Sequence, residues 1–210
     1  MDNSEIGLRI DEFVSQAREA GKLGLVKCSS GNLSHRLDDG TMLISASGAW
    51  LPDMVSREVA IVRISDGHIL NDQIPSAEQR FHLAIMQNRP DVSTILHFQS
   101  PAATAIACMG IEPDYNVIIE VPVYIGKVGH LPYLLPGSQE LADAVTRSML
   151  SNSLIQLANH GQVVCGQTYR DTLQKAVFFE MTCQILLQSK FNCIPLGEAE
   201  VALLRTYLSR

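Results

Sequence analysis

The 210-residue chain lacks the features of a membrane, secreted or nucleic-acid-binding protein. No apolar run approaches the roughly 18 residues that a membrane-spanning helix needs, and the acidic N-terminus has no secretory pattern. The net charge is -6 with both signs interspersed, so a general nucleic-acid surface is not expected. The five cysteines form no CxxC pair, which argues against disulfides and a thiolate metal site. We therefore expect a cytoplasmic protein that binds neither membranes nor nucleic acid.

The sequence also lacks a Pro/Gly/Ser-rich linker, a charge block and an internal repeat. A chain of this length can bury a substantial core as one unit, so we predict a single domain over residues 1–210. Helical periodicity predicts a first helix that closes near Gly21 and further helices at residues 138–150 and 169–189. Apolar runs predict strands at residues 42–46, 59–64, 92–98, 117–121 and 154–165.

Two hairpin signals decide the expected class of sheet. Asp39-Gly40 and Asp66-Gly67 are typical of the tight turns that join antiparallel strands. Together with the interspersed helices, they predict an α/β fold whose sheet has antiparallel pairs, rather than a doubly wound parallel sheet.

The most informative residues are two histidines at predicted strand ends. On a strand, side chains two apart share a face, so His97 and Gln99 should point the same way. His160 lies in Asn159-His160-Gly161, which interrupts a second apolar run where a strand should turn. Two imidazoles and one carboxylate form the kind of set that holds a catalytic divalent metal with an open position. Either histidine alone is more often a hydrogen-bonded core residue, and that alternative stays open.

Glu78 is the candidate carboxylate. Ser76 is predicted as the N-cap of a helix, with Glu78 in the first turn, where exposed N–H groups favour a negative charge. Arg89-Pro90 ends this helix and leads into the strand of His97. If the helix packs beside that strand, Glu78 and His97 converge on one site.

Two glycine-containing turns and one helix start are candidates for anion binding. Gly31-Asn32 and Ser47-Gly48 offer backbone N–H groups and small polar side chains. Ser76 adds a hydroxyl at the helix start. Each feature also has an ordinary explanation as a turn or helix cap.

Seven motifs in order resemble the class II aldolase and adducin head-domain family, and most closely its L-fuculose-phosphate and L-ribulose-phosphate enzymes. They are Ser29-Ser30-Gly31-Asn32-Leu33-Ser34, Ser47-Gly48, Pro75-Ser76-Ala77-Glu78, Arg89-Pro90-Asp91, His97-Phe98-Gln99-Ser100-Pro101, Tyr133 before Pro136-Gly137-Ser138, and Asn159-His160-Gly161. The resemblance covers roughly residues 5 to 190. It implies a three-layer αβα sandwich around a mixed, largely antiparallel sheet, and a homotetramer.

The resemblance also implies a reaction. A divalent metal would stabilise the enediolate that forms when a phosphorylated ketose, such as L-fuculose 1-phosphate, is cleaved to dihydroxyacetone phosphate and an aldehyde. Glu78 would be the acid/base, and Tyr133 would serve the aldehyde oxygen as proton donor. A surface or interface aromatic is the alternative for Tyr133. The remaining implied roles are metal binding by His97, His160, Glu78 and Gln99, and phosphate binding by Gly31, Asn32, Ser47, Gly48 and Ser76.

Two positions depart from the family pattern. Gln99 stands where a second histidine of a His-x-His pair is usual, and Ala77 replaces the commoner second serine. Zinc remains the expected metal, but an amide oxygen at Gln99 would move the preference toward Mn²⁺ or Mg²⁺ and lower affinity. Three outcomes stay open: a working metal site, a weakly binding one, or lost catalysis. The alternative functions are a non-catalytic assembly module like the adducin head, or a sugar-phosphate epimerase or dehydratase.

Overall fold

The computed structural model describes residues 3–208, which contain one seven-stranded mixed sheet. The strands are β1 (Asn32–Arg36), β2 (Thr41–Ser45), β3 (Val59–Arg63), β4 (Thr94–Phe98), β5 (Val128–Leu131), β6 (Leu154–Leu157) and β7 (Gly161–Gly166). The helices are α1 (Asn3–Lys22), α2 (Gln79–Asn88), α3 (Pro101–Ala107), α4 (Gln139–Met149), α5 (Tyr169–Gln188) and α6 (Glu198–Leu208).

The sheet order is β3-β2-β1-β4-β7-β6-β5. Only β5 and β6 pair in parallel; the other neighbouring strands are antiparallel. The predicted α/β class with a mixed, largely antiparallel sheet is therefore confirmed. Both hairpin signals lie where the chain reverses, Asp39-Gly40 between β1 and β2 and Asp66-Gly67 directly after β3.

Each face of the sheet is covered by helices, because successive strand residues point to opposite sides. On β4, Ile95 joins the core beneath α2 and α4, whereas Leu96 joins the core beneath α1, α3 and α5. This alternation gives the three-layer sandwich. Much of the apolar surface of α5 is buried in its own chain, so it is not by itself a sign of an oligomer interface.

The predicted strand at residues 117–121 is wrong. These residues are irregular and lead into a single π-helical turn, Val121–Ile125, where Pro122 has no N–H to offer a strand. The strand in this region is β5, which follows Gly126 at φ 78°.

Strand β1 has no counterpart in the sequence prediction. Its residues are mostly polar, yet four of the five are buried. They form a strand because β2 and β4 flank them on both sides.

Among residues 3–208, no helix is both long and apolar enough to cross a membrane. The single domain over residues 1–210 stays a prediction.

Candidate active site

The start of β1, the end of β4, the β6–β7 turn and the approach to α2 meet at one end of the sheet. Asn32 on β1 is the cross-strand partner of His97 on β4, so both side chains lie on the face covered by α2. Between these elements lies a cavity of about 240 Å³. It is lined by Ser29, Ser30, Gly31, Asn32, Ala46, Ser47, Gly48, Ala49, Ser76, Ala77, Glu78, His97, Gln99, Pro136 and His160.

Glu78, His97 and His160 form the predicted cluster. One ligand atom from each lies within 4.8 Å of the other two. Glu78 Oε2 is 3.5 Å from His97 Nε2, and Glu78 Oε1 is 3.6 Å from His160 Nε2. The two histidines are therefore brought to opposite oxygens of one carboxylate.

The tautomer of the neutral His97 ring follows from its hydrogen bond. Its Nδ1–H donates to the backbone carbonyl oxygen of Gln162 over 2.9 Å. A carbonyl oxygen can only accept, so the proton of the neutral ring is on Nδ1 and Nε2 presents a lone pair toward Glu78. A carbonyl partner on the far nitrogen is the usual way in which a metal-binding histidine is oriented.

His160 is held by the turn between β6 and β7. Its N–H donates to the Leu157 carbonyl, and Asn159 adopts φ 55°, which asparagine tolerates better than most residues. Burial lowers the pKa of His160 below its usual value; the nearby His97 acts in the same direction, and Glu78 opposes it. A lowered pKa favours the neutral ring, which is the form that binds metal.

The residues present fit a divalent metal ion. Glu78 Oε1 is buried and has no hydrogen-bond donor among the described residues. Buried carboxylate oxygens are normally hydrogen-bonded or bound to a cation, so this orphaned atom beside the His160 imidazole is a suitable ligand. Two histidines and one glutamate also form an established catalytic zinc set with an open fourth position.

The local structure before α2 corrects one prediction. Helix α2 begins at Gln79, so Glu78 occupies the N-cap position and Ser76 does not. Ser76 instead accepts a hydrogen bond from the Glu78 N–H through Oγ at 3.3 Å and another from the Gln79 N–H through its carbonyl. Ser76 therefore stabilises the turn that aims Glu78 into the cavity.

Sequence reasoning assigned no role to His82 and Ser34, which lie behind Glu78 and contact it through Asn32. Asn32 Nδ2 donates to Glu78 Oε2 over 2.9 Å, while Asn32 Oδ1 contacts His82 Nε2. His82 Nδ1 lies 2.7 Å from Ser34 Oγ. Burial lowers the pKa of His82 to about 3, with a smaller contribution from His97. Two spacings in the sequence could have revealed these residues. His82 lies four residues after Glu78, one helical turn beyond the N-cap, and Ser34 lies two residues after Asn32 on the same strand.

The predicted phosphate-binding residues all line the same cavity. Gly31 and Gly48 adopt φ 125° and 75°, where other residues are strained. The Ser47 N–H already donates to the Ile74 carbonyl, so Ser47 would offer an anion its hydroxyl. Asn32 has both ends of its amide engaged by Glu78 and His82. The described lining holds no lysine or arginine, so its anion-binding capacity would come from hydroxyls and backbone N–H groups.

Gln99 and Tyr133 differ in placement. Gln99 follows the last residue of β4 and lines the cavity. Its side chain packs closely over Gly161, since a Cβ added to that glycine would lie only 2.7 Å from Gln99 Cγ. Gln99 thus lines the same cavity as Glu78, His97 and His160, and its role as a ligand stays a prediction. Tyr133 is 57% exposed and does not line the cavity of its own chain.

Residues 11–187 match the class II aldolase and adducin N-terminal domain. A 3-oxo-tetronate 4-phosphate decarboxylase of Haemophilus influenzae is 30% identical over 177 residues, covering 82% of this chain and 84% of that protein. A 5-methylthioribulose-1-phosphate/5-deoxyribulose-1-phosphate aldolase of Rhodospirillum rubrum is 31% identical over 206 residues, covering 96% of this chain and 88% of that protein. A solved L-fuculose 1-phosphate aldolase is 25% identical, with a TM-score of 0.85 and 96% of each chain covered.

The chain therefore belongs to the class II aldolase and adducin family. The expected enzyme class, a lyase that cleaves carbon–carbon bonds, is confirmed at this level. Class II aldolases depend on divalent metals, and the Glu78, His97 and His160 cluster is the candidate site for the ion.

Proposed function

We propose that this protein is a metal-dependent aldolase that cleaves a phosphorylated ketose to dihydroxyacetone phosphate and an aldehyde. One observation carries the proposal. Glu78, His97 and His160 converge within 4.8 Å in a cavity whose remaining lining is mostly serine, glycine and alanine. The cavity thus joins a candidate metal site to a candidate phosphate site. L-Fuculose 1-phosphate is one member of the proposed substrate class, together with 5-deoxypentulose 1-phosphates such as the Rhodospirillum rubrum enzyme's name describes.

The roles of the residues follow from their positions. His97, His160 and Glu78 would hold the ion, with Gln99 as a further ligand. When bound, a divalent cation withdraws electrons from the substrate carbonyl and balances the negative charge that develops as the carbon–carbon bond breaks. The walls around Gly31, Gly48 and Ser76 would bind the phosphate and so fix the reacting carbons next to Glu78.

Glu78 would act as the general acid/base. In cleavage, it would transfer a proton to the carbon from which the bond has broken, and in condensation it would take that proton back. Its Oε2 accepts a hydrogen bond from Asn32, so Oε1 would be the oxygen that carries the proton whenever it is not a ligand of the ion. In condensation, Tyr133 would donate its phenol proton to the aldehyde oxygen, and in cleavage it would take that proton back. Because Tyr133 is exposed and does not line the cavity of its own chain, we place it in a neighbouring subunit's cavity.

Decarboxylation of a phosphorylated 3-oxo sugar acid is the second candidate. This reaction needs a polarised carbonyl and a proton for the remaining carbon, but no proton transfer at an aldehyde oxygen. Among the described lining residues, the titratable groups are Glu78, His97 and His160, and no tyrosine is present. The cavity of one chain therefore already holds the groups that a decarboxylation needs, and a 30% identical relative carries that activity in its name.

The test uses purified protein loaded with Zn²⁺ or Mn²⁺. Ketose 1-phosphates are assayed for release of dihydroxyacetone phosphate, and 3-oxo-tetronate 4-phosphates for release of CO₂. Glu78→Gln is the inactive control for both reactions. Ketose cleavage supports the first candidate and CO₂ release the second. A protein that neither retains a stoichiometric metal ion nor turns over either class would overturn both candidates. The tetrameric state, the preference for zinc and the cytoplasmic location are further proposals.

A further inference from the structure

A buried chain of hydrogen bonds leads away from Glu78 into the core. It runs from Glu78 Oε2 to the Asn32 amide, from Asn32 to the His82 imidazole, and from His82 to the Ser34 hydroxyl. Asn32 and Glu78 are 6% and 7% exposed, and His82 and Ser34 are fully buried. Water therefore has little access to this chain, and its members depend on one another for hydrogen-bond partners.

The direction of every hydrogen bond in the chain can be assigned. Asn32 Oδ1 can only accept, so His82 Nε2 carries the proton and donates. His82 Nδ1 then has a lone pair and accepts from the Ser34 hydroxyl. The two ends of Asn32 cannot be exchanged, because a flipped amide would place its Oδ1 against the Glu78 carboxylate, where both oxygens can only accept.

We propose that His82 is a positioning residue for Glu78: its Nε2–H fixes the Asn32 amide, which holds Oε2 and leaves Oε1 facing His160. This inference deepens the proposed function and rests on it. Without the His82 donor, the Asn32 amide can rotate, and Glu78 loses the contact that distinguishes its two oxygens. Residues that orient metal ligands in this way typically change metal affinity by about 10- to 100-fold when they are replaced.

His35 provides a matched control. It lies on the same strand as Asn32, is 8% exposed, and bonds through Nδ1 to Thr94 Oγ1 at 2.8 Å. Its ring stacks on Tyr169, on the opposite face of the sheet from Glu78. Replacing His35 therefore disturbs a buried, hydrogen-bonded histidine without touching the chain that leads to Glu78.

The test measures Zn²⁺ and Mn²⁺ affinity by calorimetry for the wild type, His82→Leu, His82→Gln and His35→Leu. His82→Leu should bind about 10-fold or more weakly. His82→Gln, whose amide can place an N–H near the Nε2 position, should retain most of the affinity. His35→Leu should match the wild type. A wild-type affinity in His82→Leu would overturn the inference, as would an equal loss in His35→Leu.

A double-variant cycle distinguishes positioning of Glu78 through Asn32 from a general disturbance of the fold. It compares the metal affinities of the single and double variants, so it does not depend on one variant alone. If His82 acts through Asn32, the double variant Asn32→Ala/His82→Leu should bind no more weakly than Asn32→Ala alone. If the double variant instead shows the product of the two single variants' losses in metal affinity, the inference is overturned. On an established substrate, His82→Leu should lower kcat with little change in KM. If the wild type binds neither ion, the proposed function itself is overturned. If the wild type binds an ion tightly and His82→Leu has the same affinity, only the role of His82 is overturned.

Discussion

Gly31 approaches β4 so closely that a Cβ on it would lie 2.6 Å from the carbonyl oxygen of His97. The same Cβ would lie 2.9 Å from Val26 Cγ1, and the residue adopts φ 125°. The Gly31 loop, which the sequence predicts to bind an anion, therefore also packs directly against a candidate metal ligand. Only glycine allows the backbone of His97 to pass at this distance.

Gly31→Ala should consequently destabilise the protein and displace His97. Gly24 is the matched control, because it also has positive φ, at 74°, but a Cβ there meets nothing within 4 Å. Gly24→Ala should lose about 1 kcal/mol from conformational strain alone, and Gly31→Ala clearly more. Urea unfolding measures both changes. Equal losses would mean that β4 can shift away from the loop at no cost.

Glu78→Gln should abolish most turnover while leaving the fold intact. The change removes the proton carrier but keeps the size of the side chain, and loss of a general acid/base typically costs about 10² to 10⁴ in rate. The rate constant kcat on an established substrate measures the effect, and thermal unfolding monitors the fold. Glu112→Gln, at a carboxylate beside His130, is the control and should leave kcat unchanged. An unaffected kcat in Glu78→Gln would refute the acid/base role.

Gln99→His should tighten zinc binding. If Gln99 faces the ion, the substitution supplies a third imidazole nitrogen in place of a neutral amide oxygen. Zinc activity should hold or rise, and any preference for Mn²⁺ or Mg²⁺ should shrink. Calorimetric titration of both proteins with Zn²⁺ checks this. Equal affinities would show that position 99 does not reach the metal.

His35 should make the fold sensitive to acid. Burial lowers the pKa of His35 to about 4, with smaller contributions from Arg9 and Arg36. Below pH 6.5 the unfolded chain takes up a proton that the folded chain resists, so the free energy of unfolding falls as the pH drops from about 6.5 to about 4. From pH 7 to 5 this group should cost about 2 kcal/mol. Urea unfolding of His35→Gln at both pH values should show a correspondingly smaller decrease than the wild type.

Tyr133 should act in a neighbouring subunit. Tyr133→Phe is expected to lower kcat for aldol cleavage, because the aldehyde oxygen loses its proton carrier. If the site is shared, mixing Tyr133→Phe with Glu78→Gln chains after dissociation should restore part of the activity, since some sites then pair an intact Glu78 with an intact Tyr133. Sedimentation should show an oligomer. No recovery in confirmed mixed oligomers, or a fully active monomer, would contradict this prediction.

The sequence by itself determined the features that depend on local spacing and chain order. Hydrophobic patterns predicted α4 and α5 nearly to the residue, and turn residues predicted the antiparallel hairpin at Asp39-Gly40. His97, Glu78 and His160 became candidates because each lies in a short motif, and the family resemblance implied their roles.

Only the tertiary structure decided which of these residues work together. Strand β1 is polar and has a weak local preference for a strand, so its existence depends on pairing with β2 and β4 across the chain. Asn32 and Glu78 are 46 positions apart, and Asn32 and His82 are 50 apart. No local pattern encodes such contacts, because they form only when α2 packs against the face of the sheet that carries Asn32 and His97.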